Sequence, residues 1–260
     1  MSISILQLNI LKGQYLPTII DYIQKNNFDV VTMQEVTGGG FGKISEDIFE
    51  VLKSSLAFKG NITLDIVDPT NSKNYYGTAA LYSPRIDCLQ ENILRTTPIT
   101  HIYPSEQSQW RKIKRSAIAL TLKKGGVEFD VITTHGAWSN RPDDNPDKID
   151  QAKTISAYLT SLTTPFVFTG DLNVTSDTEV VRQFEKVAIN LTRARGITNT
   201  LNPQTHYVKE LFPPGLAVDY IFTSPQIKIL DFSLVDTPDL SDHYGLRASL
   251  EINKSEDTMF

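Results

Sequence analysis

Short β-rich runs that stop at a polar group recur from one end of this chain to the other. Residues 3–8 end at Asn9, 30–33 at Gln34-Glu35, 129–134 at His135, 166–169 at Gly170-Asp171, and 217–222 carry Asp219. Runs this short, rich in Val, Ile, Phe and Thr, predict strands. Leu16, Ile19, Ile20 and Ile23 recur at helical spacing, so residues 17–26 are predicted as a helix, with Pro17 tolerated in its first turn. Further helices are expected over 46–56, 148–161 and 178–184, with Gly38-Gly39-Gly40 as a flexible loop. Strands are expected at 61–67, 78–82, 86–94, 115–122, 228–231 and 246–252, with a hairpin at Lys124-Gly125-Gly126. Residues 141–147 and 193–214 read as loops. No repeat, linker or composition break divides the chain, so one domain over 1–254 with a frayed tail at 255–260 is expected.

The sharpest of these strand ends is Gly170-Asp171-Leu172-Asn173. Strand side chains alternate between faces, so Asp171 and Asn173 aim at one point past the strand. A carboxylate can take a proton from water or hold a hard cation, and a carboxamide can donate to an oxyanion. Gly, Asp and Asn are also the commonest turn formers, so an ordinary turn competes with this reading. Recurrence shifts the balance. Random turns less often supply Gln34-Glu35 after four apolar residues, His135 after Thr133-Thr134, or Ser241-Asp242-His243 directly before a strand. Oxygen donors without a cysteine cluster point to Mg2+ or Mn2+ rather than zinc. Histidines beside carboxylates handle protons near neutral pH. Together these groups suit metal-assisted hydrolysis of a phosphate ester.

Charge and cysteine content narrow the partners and the compartment. The net charge of −5 lacks the basic surplus of a protein that grips long duplexes, so any nucleic-acid contact is local. The single cysteine, Cys88, excludes an internal disulfide and fits a reducing compartment. No apolar stretch is long enough to span a membrane, and residues 1–8 already read as a strand rather than a signal. A cytoplasmic, monomeric protein is expected.

At these residues the chain resembles the endonuclease/exonuclease/phosphatase superfamily, which includes deoxyribonuclease I and the exonuclease III-type repair nucleases. The resemblance is carried by Leu8-Asn9, Gln34-Glu35, Thr134-His135-Gly136, Gly170-Asp171-Leu172-Asn173, Asp219-Tyr220-Ile221 and Ser241-Asp242-His243, in the family's order. It implies an α/β (α+β) fold, a four-layer α/β/β/α sandwich of two mostly antiparallel sheets with helices outside and the site at one edge. It implies Glu35 as main metal ligand with Asn9 beside it and Asp242 as a metal or neighbouring ligand. Asp171 would orient or deprotonate water, and Asn173 would donate to phosphate oxygens. His243 would be a second acid–base group with Asp219 fixing its tautomer, and His135 would contact the scissile phosphate. Abasic-site nucleases of the superfamily often carry a second polar ligand where this chain has Leu11. Ser241-Asp242-His243-Tyr244-Gly245-Leu246 is similar to the closing motif of its tyrosyl-DNA phosphodiesterases, and many other members carry proline there.

Other residues carry two readings. The basic run Trp110-Arg111-Lys112-Ile113-Lys114-Arg115 is either a solvated strand start or a phosphate-backbone contact through Lys112 and Arg115, with Trp110 as a stacking surface. Trp138 either stacks on a substrate or packs in the core. Tyr82 is a core or rim tyrosine that could also reach a phosphate. His101 and His206 read as structural or surface residues, Arg193 and Arg195 as solvated, and Cys88 as inert. Asp143, Asp144 and Asp147 read as exposed, with a second cation site as the alternative. The expected function is a Mg2+-dependent phosphodiesterase or nuclease acting on DNA, RNA or a nucleic-acid end. The alternative is a hydrolase of a small phosphoester such as an inositol phosphate, nucleotide or lipid headgroup. A non-catalytic binding module is disfavoured because every acidic and histidine position is kept.

Overall fold

The computed structural model describes residues 1–41, 44–95, 99–101, 107–113, 115–237 and 239–253. The first half runs β1 (Ser2–Asn9), α1 (Leu16–Asn26), β2 (Val30–Gly38), α2 (Ile48–Leu56), β3 (Lys59–Asp68) and β4 (Asn71–Tyr82). The middle continues through β5 (Asp87–Arg95), α3 (Gln107–Trp110), β6 (Ser116–Lys124), β7 (Val127–His135), α4 (Pro146–Ser161) and β8 (Phe166–Asp171). The last part holds α5 (Glu179–Glu185), β9 (Ile189–Asn190), α6 (Leu191–Ala194), β10 (Asp219–Thr223), β11 (Lys228–Val235) and β12 (Gly245–Glu251). The expected tail lies outside the described residues. Among the described residues no helix is long and apolar enough to cross a membrane.

Two six-stranded sheets form, in the orders β11-β12-β1-β2-β4-β3 and β5-β6-β7-β8-β10-β9. In the first, only β1 and β2 pair in parallel, with α1 as the crossover; in the second, only β7 and β8 do, with α4 between them. The sheets face each other across Ile3, Ile5, Val30, Phe129, Val131, Val167, Ile221 and Leu246. The opposite face of the first sheet buries Leu6, Leu8, Val31 and Met33 under Ile19 and Ile23 of α1 and Leu52 of α2. That of the second buries Ile132, Phe168 and Phe222 under Ile155 of α4 and Phe184 of α5. The expected α/β/β/α sandwich is therefore the observed one.

Local chemistry sets the element ends. Asn145 accepts from the Lys148 N–H at 3.0 Å and Pro146 opens α4, so this helix starts two residues before the expected 148. Asp47 caps α2 in the same way. Gly125 and Gly126 lie at φ 56° and 79°, the left-handed pair that a two-residue hairpin demands. Two expectations change. The strand expected to end at Gln34-Glu35 runs on to Gly38, because a bulge between Met33 and Val36 restores its pairing with β4. The segment read as a loop over 193–214 holds the end of α6, a 3-10 turn at Lys209–Leu211 and a bridge from Leu201 to His243.

Candidate active site

Each inward stripe of the sandwich starts apolar and turns polar toward one end. On β1 it reads Ile3, Ile5, Gln7, Asn9; on β7, Phe129, Val131, Thr133, His135; on β8, Val167, Thr169, Asp171. The parallel pairs bring these ends level, Asn9 beside Gln34 and His135 beside Asp171, and antiparallel β10 sets Asp219 against Asp171. The polar ends meet beneath a cleft of about 640 Å³, lined by Asn9, Glu35, His135, Asp171, Asn173, Asp242 and His243 among others. It opens at the carboxyl ends of both parallel pairs, where open α/β sheets place their sites.

A buried carboxylate–imidazole–carboxylate line forms its floor. His243 Nδ1 lies 2.8 Å from Asp219 Oδ2, and His243 Nε2 lies 3.9 Å from Asp171 Oδ2. Asp219 is fully buried; it accepts from Gln7 Nε2 at 3.1 Å and from the Thr200 hydroxyl at 2.6 Å. Asp171 accepts from Asn9 Nδ2 at 3.0 Å and from the Asn173 N–H at 2.9 Å, and His135 Nε2 stands 3.5 Å away. Burial alone would depress the His243 imidazole, but Asp219, Asp171 and Asp242 outweigh it and hold its pKa well above the ordinary histidine range. Burial and the Asp219 carboxylate push Asp171 up to about 7. Burial, with the charges of Arg115, His243 and Lys12, keeps His135 well below its ordinary value, so its ring is neutral. The site thus pairs a charged imidazole with a carboxylate that titrates near neutrality, the poise needed for proton transfer.

Glu35 stands apart from this line. It sits in the β2 bulge at φ 61°, and its buried Oε2 has no hydrogen-bond partner. Among the described residues, Lys12 Nζ is 4.0 Å from it. A buried carboxylate oxygen without a hydrogen-bond partner beside a cleft that Asn9 and Asp242 also line fits a divalent cation with hard oxygen ligands. Asp171, Asp219 and His243 also offer atoms within 4.8 Å of one another, a spacing that could hold a metal. Both Asp219 oxygens are already hydrogen-bonded, however, which suits that group to proton handling.

The other expected site residues divide. Trp138 lines the cleft, and Asn173 does too, with one amide N–H given to the Gly136 carbonyl at 3.0 Å. Arg115 also lines it but is buried rather than solvated: it pairs with Asp65 at 3.3 Å and lies 4.9 Å over the Tyr76 ring. Lys112 is exposed and is not among the lining residues; Tyr82 packs in the inter-sheet core, its strand partner Val30 far from the polar end of β2. Neither is brought to the site. Lys114 lies outside the described residues. His206, expected to be structural or surface, is buried against the cleft with its ring 6.3 Å from that of His243. In the acidic loop, Asp144 caps a helix: it accepts from the Glu179 and Val180 N–H groups at the start of α5.

Several contributors carried no sequence signal. Tyr76 places its hydroxyl 3.3 Å from His135 Nδ1. Lys148, pulled down to about 8 by burial, donates to the carbonyls of Arg141, Asp143 and Asn173. Asn202 Nδ2 and the Thr205 hydroxyl both bind the Ser241 carbonyl, and Asn202 N–H binds that of Asp242, so the 193–214 segment clasps the loop leading to His243. Proline and asparagine signalled a loop there; nothing local signalled its partner.

The fold recurs in solved structures. An endonuclease/exonuclease/phosphatase from Bacteroides vulgatus matches 97% of this chain and 100% of its own at 19% identity and TM-score 0.74. A mannosyl-6-phosphatase from Bacteroides thetaiotaomicron matches 96% and 100% at 16% and 0.68. D. rerio TDP2, complexed with single-strand DNA product, matches 96% and 99% at 15% and 0.70. No curated protein matches the sequence. The model of the Endonuclease/Exonuclease/phosphatase family matches residues 6–243. That match runs from within β1 to His243, so the chain belongs to the endonuclease/exonuclease/phosphatase family and is a metal-dependent phosphoester hydrolase.

Proposed function

We propose that the cleft hydrolyses a phosphodiester of a nucleic acid or a nucleic-acid end, with Mg2+ as the cation. One observation carries the reaction: the line Asp219–His243–Asp171, with 2.8 Å and 3.9 Å links, opening onto the cleft that holds the unpaired Glu35 oxygen. Asp171 takes the proton of the attacking water as its oxygen bonds to phosphorus. The bond from phosphorus to the ester oxygen breaks opposite, and protonated His243 donates toward the departing oxygen. Asp219 holds the imidazole with Nδ1 bonded and Nε2 facing the cleft. Neutral His135 and the free amide N–H of Asn173 donate to the phosphoryl oxygens. Glu35, with Asn9 and Asp242 nearby, would hold the divalent cation, which when bound polarises the phosphoryl group.

Three aromatic faces on the cleft wall, Trp110, Trp138 and Tyr207, support a base-bearing substrate; Tyr207 is 71% exposed. A second reading rests on charge. Lys12 and Arg115 are the only lysine or arginine residues among the described residues lining the cleft, which favours a small ester with one phosphate. A turnover screen with and without Mg2+ across single-stranded and duplex DNA, RNA, 5′-adducts, sugar phosphates and inositol phosphates separates them. Cleavage of oligonucleotides that EDTA abolishes supports the first; release of phosphate from sugar or inositol phosphates alone decides for the second. Activity unaffected by chelation ends both.

A further inference from the structure

Lys12 is held in the cleft by backbone that L-residues avoid. Leu11, Lys12 and Gly13 follow one another at φ 47°, 53° and 70°. Left-handed conformations are unfavourable for residues with a Cβ, and they persist where the surroundings over-determine them. Here Asn9 Oδ1 accepts from the Leu11 N–H at 3.1 Å, and the Gly13 N–H donates to the Ile10 carbonyl at 2.8 Å. A Cβ on Gly13 would come within 2.5 Å of Ile48 Cδ1, so the turn is pressed against α2. The outcome of that strain is the position of one ammonium, 4.0 Å from Glu35 Oε2 and 5.5 Å over the Trp110 ring.

At 4.0 Å the Lys12 and Glu35 groups attract each other without a hydrogen bond. Glu35, also left-handed, keeps its Oε2 unpaired, and among the described residues no hydrogen bond engages the Lys12 ammonium. The other cationic side chain of the cleft, Arg115, is spent on Asp65. Two residues in left-handed backbone therefore hold a half-exposed ammonium and a buried carboxylate oxygen without a hydrogen-bond partner side by side in the cleft.

We propose that Lys12 is a built-in phosphate-binding cation: its ammonium bonds a phosphoryl oxygen of the substrate, and it competes with the divalent cation for the charge of Glu35. Phosphoryl transfer spreads negative charge over the transferred oxygens, and a positive charge already fixed in place stabilises it without reorganisation. This role rests on the phosphoester reading of the cleft.

The test uses inorganic phosphate and Mg2+ as calorimetric probes of the full chain, alongside turnover. Lys12→Met keeps the stem and removes the charge. Phosphate affinity in the presence of Mg2+ is expected to fall about tenfold or more, the worth of one charge-assisted hydrogen bond. Mg2+ affinity without phosphate is expected to rise, because Glu35 loses its competing cation. Lys12→Arg should restore phosphate binding. Lys12→Gly relieves the backbone at φ 53°, so it should melt no lower than the wild type and still lose phosphate affinity, which separates the charge from the fold. Phosphate affinity unchanged within about twofold in both Lys12→Met and Lys12→Gly, or Mg2+ affinity that falls, overturns the proposal. A wild-type protein that binds phosphate through Lys12 yet hydrolyses no ester would sink the reaction and leave this site standing.

Discussion

Asp171 decides the pH response of the site. Its carboxyl is raised from the ordinary carboxylate range to about 7, first by burial and then by Asp219. The ionised form is the one that accepts a proton, so kcat/KM is expected to fall with unit slope as pH drops through the region near 7 in limiting Mg2+. Saturating Mg2+ moves that limb to lower pH, since positive charge favours the carboxylate. Asp171→Asn, close in shape but unable to take the proton, should lower turnover by roughly 10²–10⁴-fold. A flat pH–rate profile from about 5 to 8, or a nearly active Asp171→Asn, would contradict the assigned role. Asp171 and Asp219 were legible in the sequence because each stands at a strand end, where side-chain direction follows from alternation; His243, two residues before β12, was legible through the Ser241-Asp242-His243 motif and the family resemblance. Tyr76 and the Asp65–Arg115 pair were not. They lie inside strands or at a strand start like ordinary core and surface residues, and only the packing of β4 against β7 gives Tyr76 its partner, His135.

Among the elements, the segment from Asn199 to Val218 carries more of the site than its sequence suggests. Thr200 donates to Asp219 Oδ2 at 2.6 Å and accepts from the Val218 and Asp219 N–H groups at 3.0 and 3.2 Å. Thr200→Val keeps the volume and removes all three bonds. It should cost about 1–3 kcal/mol of stability, measured by denaturant unfolding, and Thr200→Ser should recover most of it. It should also lower turnover, since Asp219 then holds His243 with one tie fewer; unchanged stability and turnover would mean that the segment merely covers the cleft. The strands, the long helices and the glycine hairpin were readable because propensity, period and turn chemistry agree there. The extension of β2 was not, because Gln34-Glu35 looks like a stop until β4 supplies the pairing that carries the strand past its bulge.

At the scale of the whole molecule, charge separates the two candidate substrate classes. With a net charge of −5 and only Lys12 and Arg115 as cations among the described residues lining the cleft, few phosphates are neutralised on binding. Since Arg115 is already paired with Asp65, association with a single-stranded oligonucleotide is expected to weaken with salt at a log–log slope of roughly −0.7, the value for one phosphate contact on a single strand. Fluorescence anisotropy across a salt series reads that slope, and a value several times steeper would point to a basic surface outside the cleft. The layered architecture was legible as a family resemblance, whereas strand order within each sheet was not, because period-2 patterning says which face is buried and nothing about which neighbour is bonded.

The apolar interior of the sandwich gives way near the cleft to a row of paired polar side chains. Gln7 donates to Gln34 at 2.7 Å, Gln34 to Thr133 at 3.1 Å, and Thr169 to Thr32 at 2.8 Å, each bond joining neighbouring strands or the two sheets. Sliding one sheet by a single residue step would leave these amides and hydroxyls stranded in a dry interior, which is far dearer than shifting greasy contacts. The row acts as a ratchet pawl between the layers. Whatever breathing admits a reactant must therefore come from the rim, while Asp171 and His243 keep their mutual aim.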